Sequence, residues 1–143
     1  MPEKNRTVPV LKPSILFVCV ANSCRSQMAE AIAKSLVGER WDVWSAGSQP
    51  SGRVHPVAVQ MMEELGLDLR AHRSKGLAEV PAHEWDYVVT MGCGDRCPAV
   101  HARHRLDWDI PDPIGLSLED TRRIRDHLVQ QIRQLLIGAA GGS

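Results

Sequence analysis

The chain has 143 residues, of which 43% are hydrophobic, and a formal net charge of zero. That length suits one domain with enough apolar side chains for a proper core. The balanced charge speaks against nucleic acid or an anionic membrane surface as a partner. No apolar run approaches the length of a membrane helix, and the charged, proline-bearing segment Met1–Pro13 does not read as a signal peptide. A cytoplasmic protein is expected. Four cysteines in such a chain point to redox chemistry or metal binding before structural disulfides.

Residues 1–13, with Pro2, Pro9 and Pro13 among charges, read as a flexible N-terminal extension to a single domain over 14–138. The domain opens with the apolar, β-branched run Ile15 to Val20, short enough for a buried strand. From Met28 the pattern turns helical, with Met28, Ile32 and Leu36 on one stripe, Ala29, Ala33 and Val37 beside it, and Gly38 as the stop. Between strand and helix lies Cys-x5-Arg, from Cys19 to Arg25. A loop running into a helix N-terminus aims several backbone N–H groups at one spot, and such a spot binds oxyanions. The loop residues Val20, Ala21, Asn22, Ser23, Cys24, Arg25 and Ser26 are therefore the expected anion-binding set. Arg25 adds a planar fork that grips two oxygens at once. Such positive cradles favour thiolate over thiol, and Ser26 is placed to donate a hydrogen bond to sulfur. A cysteine at a strand end is often only a small core residue. The strand before Cys19, the helix after it and Ser26 following Arg25 favour a nucleophile instead.

Further along, Trp41 to Ala46 alternates as a second strand closed by Gly47, and Gln49 to Arg53 is a loop. A second helix starts near His55-Pro56 and stops at Gly66, with Ala58, Met61, Met62 and Leu65 inward. Asp86 to Met91 is a third strand, Gly92 to Pro98 a loop of turn formers, and His104 to Asp107 a short fourth strand. Asp109 to Gly115 is a loop, and Ser117-x-x-Asp120 resembles a capping box. A last helix runs to about Ile137, with Ile124, Leu128, Ile132, Leu135 and Leu136 inward, and residues 139–143 form a frayed tail. Strands alternating with helices make this an α/β domain with parallel pairing and right-handed crossovers.

Cys93 and Cys97 form Cys-x3-Cys just beyond the third strand. In a parallel sheet the strand C-termini share one edge, so this pair falls on the same edge as Cys19. A glycine-flanked thiol loop beside a nucleophilic cysteine suits relayed thiol–disulfide exchange. Two other readings stand beside it. Cys93, Cys97, His101 and His104 would supply four zinc ligands, although their spacing matches the usual patterns poorly. The two cysteines can also be inert loop residues.

The segment Cys-Val-Ala-Asn-Ser-Cys-Arg-Ser-Gln-Met-Ala-Glu resembles the active-site loop of low-molecular-weight protein tyrosine phosphatases, and still more that of the arsenate reductases sharing their fold. The resemblance covers about Ser14 to Gly138 and implies a single-domain, four-stranded parallel sheet flanked by helices. Thr-Met-Gly-Cys-Gly-Asp-Arg-Cys-Pro is similar to one branch of thioredoxin-coupled reductases. It implies arsenate as substrate, phosphate or sulfate as competing anions, a Cys19, Cys93 and Cys97 relay, external thioredoxin as reductant, and no bound cofactor or metal. Asp112-Pro113 matches the loop that carries the general acid, although an Asp before proline is also a common surface turn. Asp107 and Asp109 are lesser candidates. Asn22 and Ser45 match positions that hold the loop's shape, Glu30 reads as a structural partner, and Cys24 matches a cysteine with no required part in the relay. His72 and Ser74 fall in a family-like Ala71–Lys75 segment.

Two departures stand out. Ala21 replaces a glycine found in many relatives, which makes φ > 0 hard there. Lys75 takes the place of an Asp that, with groups matching Asn22, Glu30 and Ser45, helps bind potassium in some relatives. Its ammonium can occupy the cation's place, so no potassium requirement is expected. Against a phosphatase, Ile114 follows Asp112-Pro113 where such enzymes typically carry tyrosine, and a phosphatase needs neither Cys93 nor Cys97. Discharge by a low-molecular-weight thiol instead of Cys93 is a further alternative. A DNA-bound redox sensor would need a basic recognition helix, and none is apparent.

Overall fold

In the computed structural model, described over residues 12–81, 84–92 and 100–141, the first strand β1 (Ser14–Cys19) is buried at every position. It sits between β2 (Asp42–Gly47) and β3 (Trp85–Met91), and β4 (Ala102–Trp108) closes the far edge. The order is β2-β1-β3-β4 and all pairings are parallel. A central parallel strand has to be covered on both faces, which is why Ile15 to Val18 are all apolar rather than alternating.

Ile15 and Phe17 point to one face, where α1 (Arg25–Val37), α2 (Pro56–Glu63) and α3 (Leu118–Gly141) pack through Met28, Ile32, Met61, Met62, Leu128 and Ile132. Leu16 and Val18 point to the other, with Ala46, Val88, Trp85 and Val80. Each large side chain so buried contributes about 1.5–3 kcal/mol. The register pairs Cys19 with Gly47, and Met91 with Trp108. The C-terminal ends of the strands therefore open onto one edge, and the loops that follow them meet there.

Several boundaries differ from the sequence expectation. β4 runs from Ala102, longer than His104–Asp107, and α3 continues to Gly141 rather than ending near Ile137. Leu36 is 37% exposed and Leu65 40%. In α1 Met28 and Ile32 are buried together with Ala29, Ala33 and Val37, and Leu36 lies about 100° round the helix from Val37. α2 ends at Glu63, so Leu65 sits in a turn where helical periodicity no longer applies, and Leu69 makes the buried contact instead. At the start of α3 the Ser117 hydroxyl accepts from the Asp120 amide at 3.1 Å. The Asp120 carboxylate turns to Arg123, at 2.7 Å, rather than back to Ser117. Arg125, on the inner side of α3, is buried because it bonds Glu64 at 2.7 Å and the Met61 carbonyl at 3.3 Å. No helix among the described residues is long and apolar enough to cross a membrane.

Candidate active site

β1 delivers Cys19 to the sheet edge, and residues 20–24 lead into α1. The loop is held from outside by its carbonyls. Those of Cys19, Val20, Ala21 and Ser23 accept from the amides of Ser48, Gln49, Ser51 and His55 at 3.1, 2.8, 3.0 and 2.8 Å. A peptide's N–H points opposite to its C=O, so the amides that follow these carbonyls turn inward, toward the concave side. α1 begins with Cys24 at the N-cap and no side-chain cap, leaving the amides of its first turn open to an anion. Gly47 allows this close approach, because a Cβ there would lie 2.6 Å from the Val20 carbonyl oxygen and 2.9 Å from the Asn22 nitrogen.

The left-handed residue of the loop is Asn22, with φ 50, and Ala21 keeps a negative φ. Ala21 therefore meets no strain, because the left-handed turn falls on the next residue, where asparagine is tolerated. The Asn22 side chain is fully buried. Its Nδ2 donates to Ser26 Oγ at 2.7 Å and Ser45 Oγ at 3.0 Å, and its Oδ1 accepts from Gln27 Nε2 at 2.8 Å and the Lys75 amide at 2.9 Å. Since Ser26 Oγ accepts from Asn22, its own hydrogen is free for Cys19 Sγ, 2.9 Å away. Cys19 is 2% exposed and Cys24 3%. Burial, aided by Asp112 and Cys19 nearby, pushes the Cys24 thiol up to about 12 against the pull of Arg25. Cys24 is thus held as a thiol at neutral pH.

Behind the loop lies a charged centre. Ser45 donates to Glu30 Oε1, and the buried Lys75 ammonium lies 3.4 Å from Glu30 Oε1 and 3.3 Å from Ser45 Oγ. Burial alone would raise the Glu30 pKa. The hydrogen bonds from Lys34 and Ser45 and the charge of Lys75 outweigh it and hold the carboxyl below its ordinary value. His72 Nδ1 meets Gln27 Oε1 at 3.1 Å, and burial pushes its pKa down although Glu30 pulls the other way. Ser74 Oγ donates to the Ala21 carbonyl at 2.8 Å. A continuous hydrogen-bonded path thus runs from Lys75 through Ser45, Asn22 and Ser26 to Cys19.

In front of the loop is a cavity of about 300 Å³, lined by Cys19, Val20, Ala21, Ser23, Cys24, Arg25, Gly92, Asp112 and Ile114. Thiol, guanidinium and carboxyl thus share one space, drawn from β1, α1 and the loop after β4. Arg25 Nη1 donates to the Ile110 carbonyl at 3.0 Å. Asp112 Oδ1 accepts from the Ile114 amide at 3.1 Å, an Asx turn that sets the loop's direction. Asp107 is bonded to Thr90 instead of facing the cavity. Cys93 and Cys97 lie outside the described residues, although Gly92, the residue before Cys93, lines the cavity. His104 stacks on Tyr87 with ring centroids 4.9 Å apart. Among the described residues no group of His, Cys, Asp or Glu is arranged to hold a metal. Sequence reasoning missed Gln27, the backbone segment 48–55, and the steric need for Gly47 and Gly92. The two glycines were visible only as turn formers.

A family profile described as low molecular weight phosphotyrosine protein phosphatase matches residues 14–140. A glutaredoxin arsenate reductase of Synechocystis is 39% identical over 125 residues, 85% of this chain and 95% of the relative. An arsenate reductase of Staphylococcus saprophyticus is 38% identical over 127 residues, 86% of this chain and 95% of the relative. Among solved structures, an arsenate reductase in a phosphate-binding state superposes with a TM-score of 0.79 at 38% identity, over 87% of this chain and 97% of the other. A thioredoxin-dependent arsenate reductase of Corynebacterium glutamicum superposes with a TM-score of 0.77 at 31% identity, over 97% of this chain and 67% of the other. With the four-stranded parallel sheet and the anion loop in place, the chain belongs to the low molecular weight phosphotyrosine protein phosphatase family, alongside its arsenate-reductase members.

Proposed function

We propose that this chain reduces arsenate to arsenite, with Cys19 as nucleophile and the Cys93 and Cys97 thiols as the internal source of the remaining reducing power. The observation that carries the reading is the cavity in which Cys19, Arg25 and Asp112 meet at the mouth of the anion loop. The relatives are arsenate reductases, which favours arsenate over a phosphoester, and one solved relative is a thioredoxin-dependent enzyme.

The loop amides and the Arg25 fork hold three arsenate oxygens. The Cys19 thiolate attacks arsenic, Asp112 gives a proton to the departing oxygen, and water leaves an S–As(V) adduct. The Cys93 thiolate then attacks Cys19 Sγ. The S–As bond breaks with its electron pair on arsenic, which departs as arsenite, and a Cys19–Cys93 disulfide remains. Cys97 attacks Cys93 Sγ, releases the Cys19 thiolate and forms Cys93–Cys97. Two thiols have supplied the two electrons, and thioredoxin, a dithiol, restores them. No bound cofactor enters these steps, and phosphate or sulfate competes for the same loop. A reducing cytoplasm suits a set of three free thiols.

The name of the Synechocystis relative gives a second reading, in which glutaredoxin chemistry discharges the adduct from outside. Cys97→Ser separates the two. The relay predicts one equivalent of arsenite in a single turnover, then arrest as a Cys19–Cys93 disulfide seen by mass mapping. Full thioredoxin-coupled turnover by Cys97→Ser refutes the three-cysteine relay. Phosphoester hydrolysis untouched by Cys93→Ser or Cys97→Ser, with no arsenite formed by the unaltered protein, shows a phosphatase instead.

A further inference from the structure

We infer that Gly92 is a positioning residue for the oxyanion, acting through Arg25. The inference rests on the reading of Arg25 as the anion's grip. Gly92 directly follows β3 with φ 75, a left-handed conformation that most side chains avoid. The more telling fact is what lies beside it. A Cβ built on Gly92 would be 2.2 Å from Arg25 Nη1 and 3.2 Å from Arg25 Cζ, with the Ile110 carbonyl oxygen at 3.6 Å. Nη1 therefore occupies the space that any other residue at 92 would fill, and from there it donates to Ile110 at 3.0 Å. The bare backbone of Gly92 and the Ile110 carbonyl make a slot for one corner of the guanidinium. With that corner held, the guanidinium is kept at the wall of the cavity that the anion loop lines.

The residue that would be displaced is the far end of a flexible side chain, not backbone. Filling the slot thus moves the guanidinium rather than unfolding the chain, and the effect falls on anion affinity. Among the described residues the other left-handed glycines do not share this feature. Gly66 has φ 78 and nothing within 4 Å of its would-be Cβ. Gly66→Ala carries the same backbone strain without the collision, which makes it a matched control.

The test uses inorganic phosphate as probe, with calorimetric dissociation constants for the full chain and for Gly92→Ala, Gly92→Asn, Gly66→Ala and Arg25→Lys. Asparagine tolerates a left-handed backbone, so Gly92→Asn keeps the slot testable where Gly92→Ala folds poorly. Both Gly92 variants should bind phosphate roughly tenfold to a hundredfold more weakly, the loss of a charge-assisted grip. Gly66→Ala should melt lower yet bind phosphate as the parent does. In an Arg25→Lys background, where nothing fills the slot, Gly92→Asn should add no further loss. Parent-like phosphate affinity in Gly92→Asn, or losses that simply add in the double variant, overturn the proposal. Undiminished phosphate binding by Arg25→Lys overturns the anion-grip reading beneath it as well.

Discussion

Replacing Asn22 with alanine should remove more stability than any other single polar change at this site. An amide side chain has two donors and two acceptor sites. Asn22 uses all four, on Ser26, Ser45, Gln27 and the Lys75 backbone, at full burial. The losses are unequal. Ser26 keeps Cys19, Ser45 keeps Glu30, and Gln27 keeps the Asn22 and Arg73 carbonyls at 3.2 and 2.9 Å. Each of these three lost bonds costs about 0.5–1.5 kcal/mol. The Lys75 amide loses its side-chain acceptor, and an unpaired buried N–H costs about 1–3 kcal/mol. Alanine at φ 50 adds about 1–2 kcal/mol of backbone strain. Because the partners share one network, the sum falls toward its lower end, about 4 kcal/mol, a large part of a typical folding free energy. Urea unfolding followed by tryptophan fluorescence reads this directly. Asn22→Asp separates stability from chemistry. It keeps the left-handed backbone and both acceptor bonds, but its carboxylate invites the Ser26 hydroxyl hydrogen away from Cys19. That variant should stay folded and alkylate slowly at Cys19. A folded Asn22→Ala within about 1 kcal/mol of the parent would refute the accounting.

Cys19→Ser should abolish arsenite formation in a thioredoxin-coupled assay, because a hydroxyl near neutral pH is a far weaker nucleophile than a thiolate. Lys75→Met strands the buried Glu30 carboxylate with less positive charge. Its folded-state pKa, now depressed, should rise, so the loss of stability is greatest at neutral pH and shrinks as pH falls through the ordinary carboxylate range. Paired urea titrations of parent and variant across that range check this. Parent turnover should be equal in potassium and sodium buffers, since an ammonium already sits by Glu30 and Ser45. Arg122 and Arg125 hold the Glu64 carboxyl at about 2, below its ordinary 4.5. The stabilisation is complete above 4.5 and lost as pH falls toward 2, so Glu64→Gln should melt lower at neutral pH and converge on the parent in strong acid.

The chain's local order was open to inspection before any folding was considered. Apolar Ile15–Val20, the helical stripe from Met28, the stop at Gly38 and the proline after His55 each depend on neighbours within a few residues, where strand and helix geometry makes spacing predictable. The same holds for Cys19, Ser26 and Arg25, which one loop and one helical turn bring together. Contacts between distant segments carried no such signal in their spacing, and Lys75 beside Asn22, Glu30 and Ser45 was expected only from the family resemblance. Lys75 reaches Asn22 across 53 residues, Arg25 reaches Ile110 across 85, and Arg125 reaches Glu64 across 61. Nothing in the periodicity of those segments specifies these partners, because they arise from the strand order β2-β1-β3-β4 and from which loops that order places at one edge. Gly92 shows the difference most plainly. In the sequence it is one turn former among several, and only the pairing of β3 beside β1, whose loop leads into α1, puts a guanidinium where its side chain would have been.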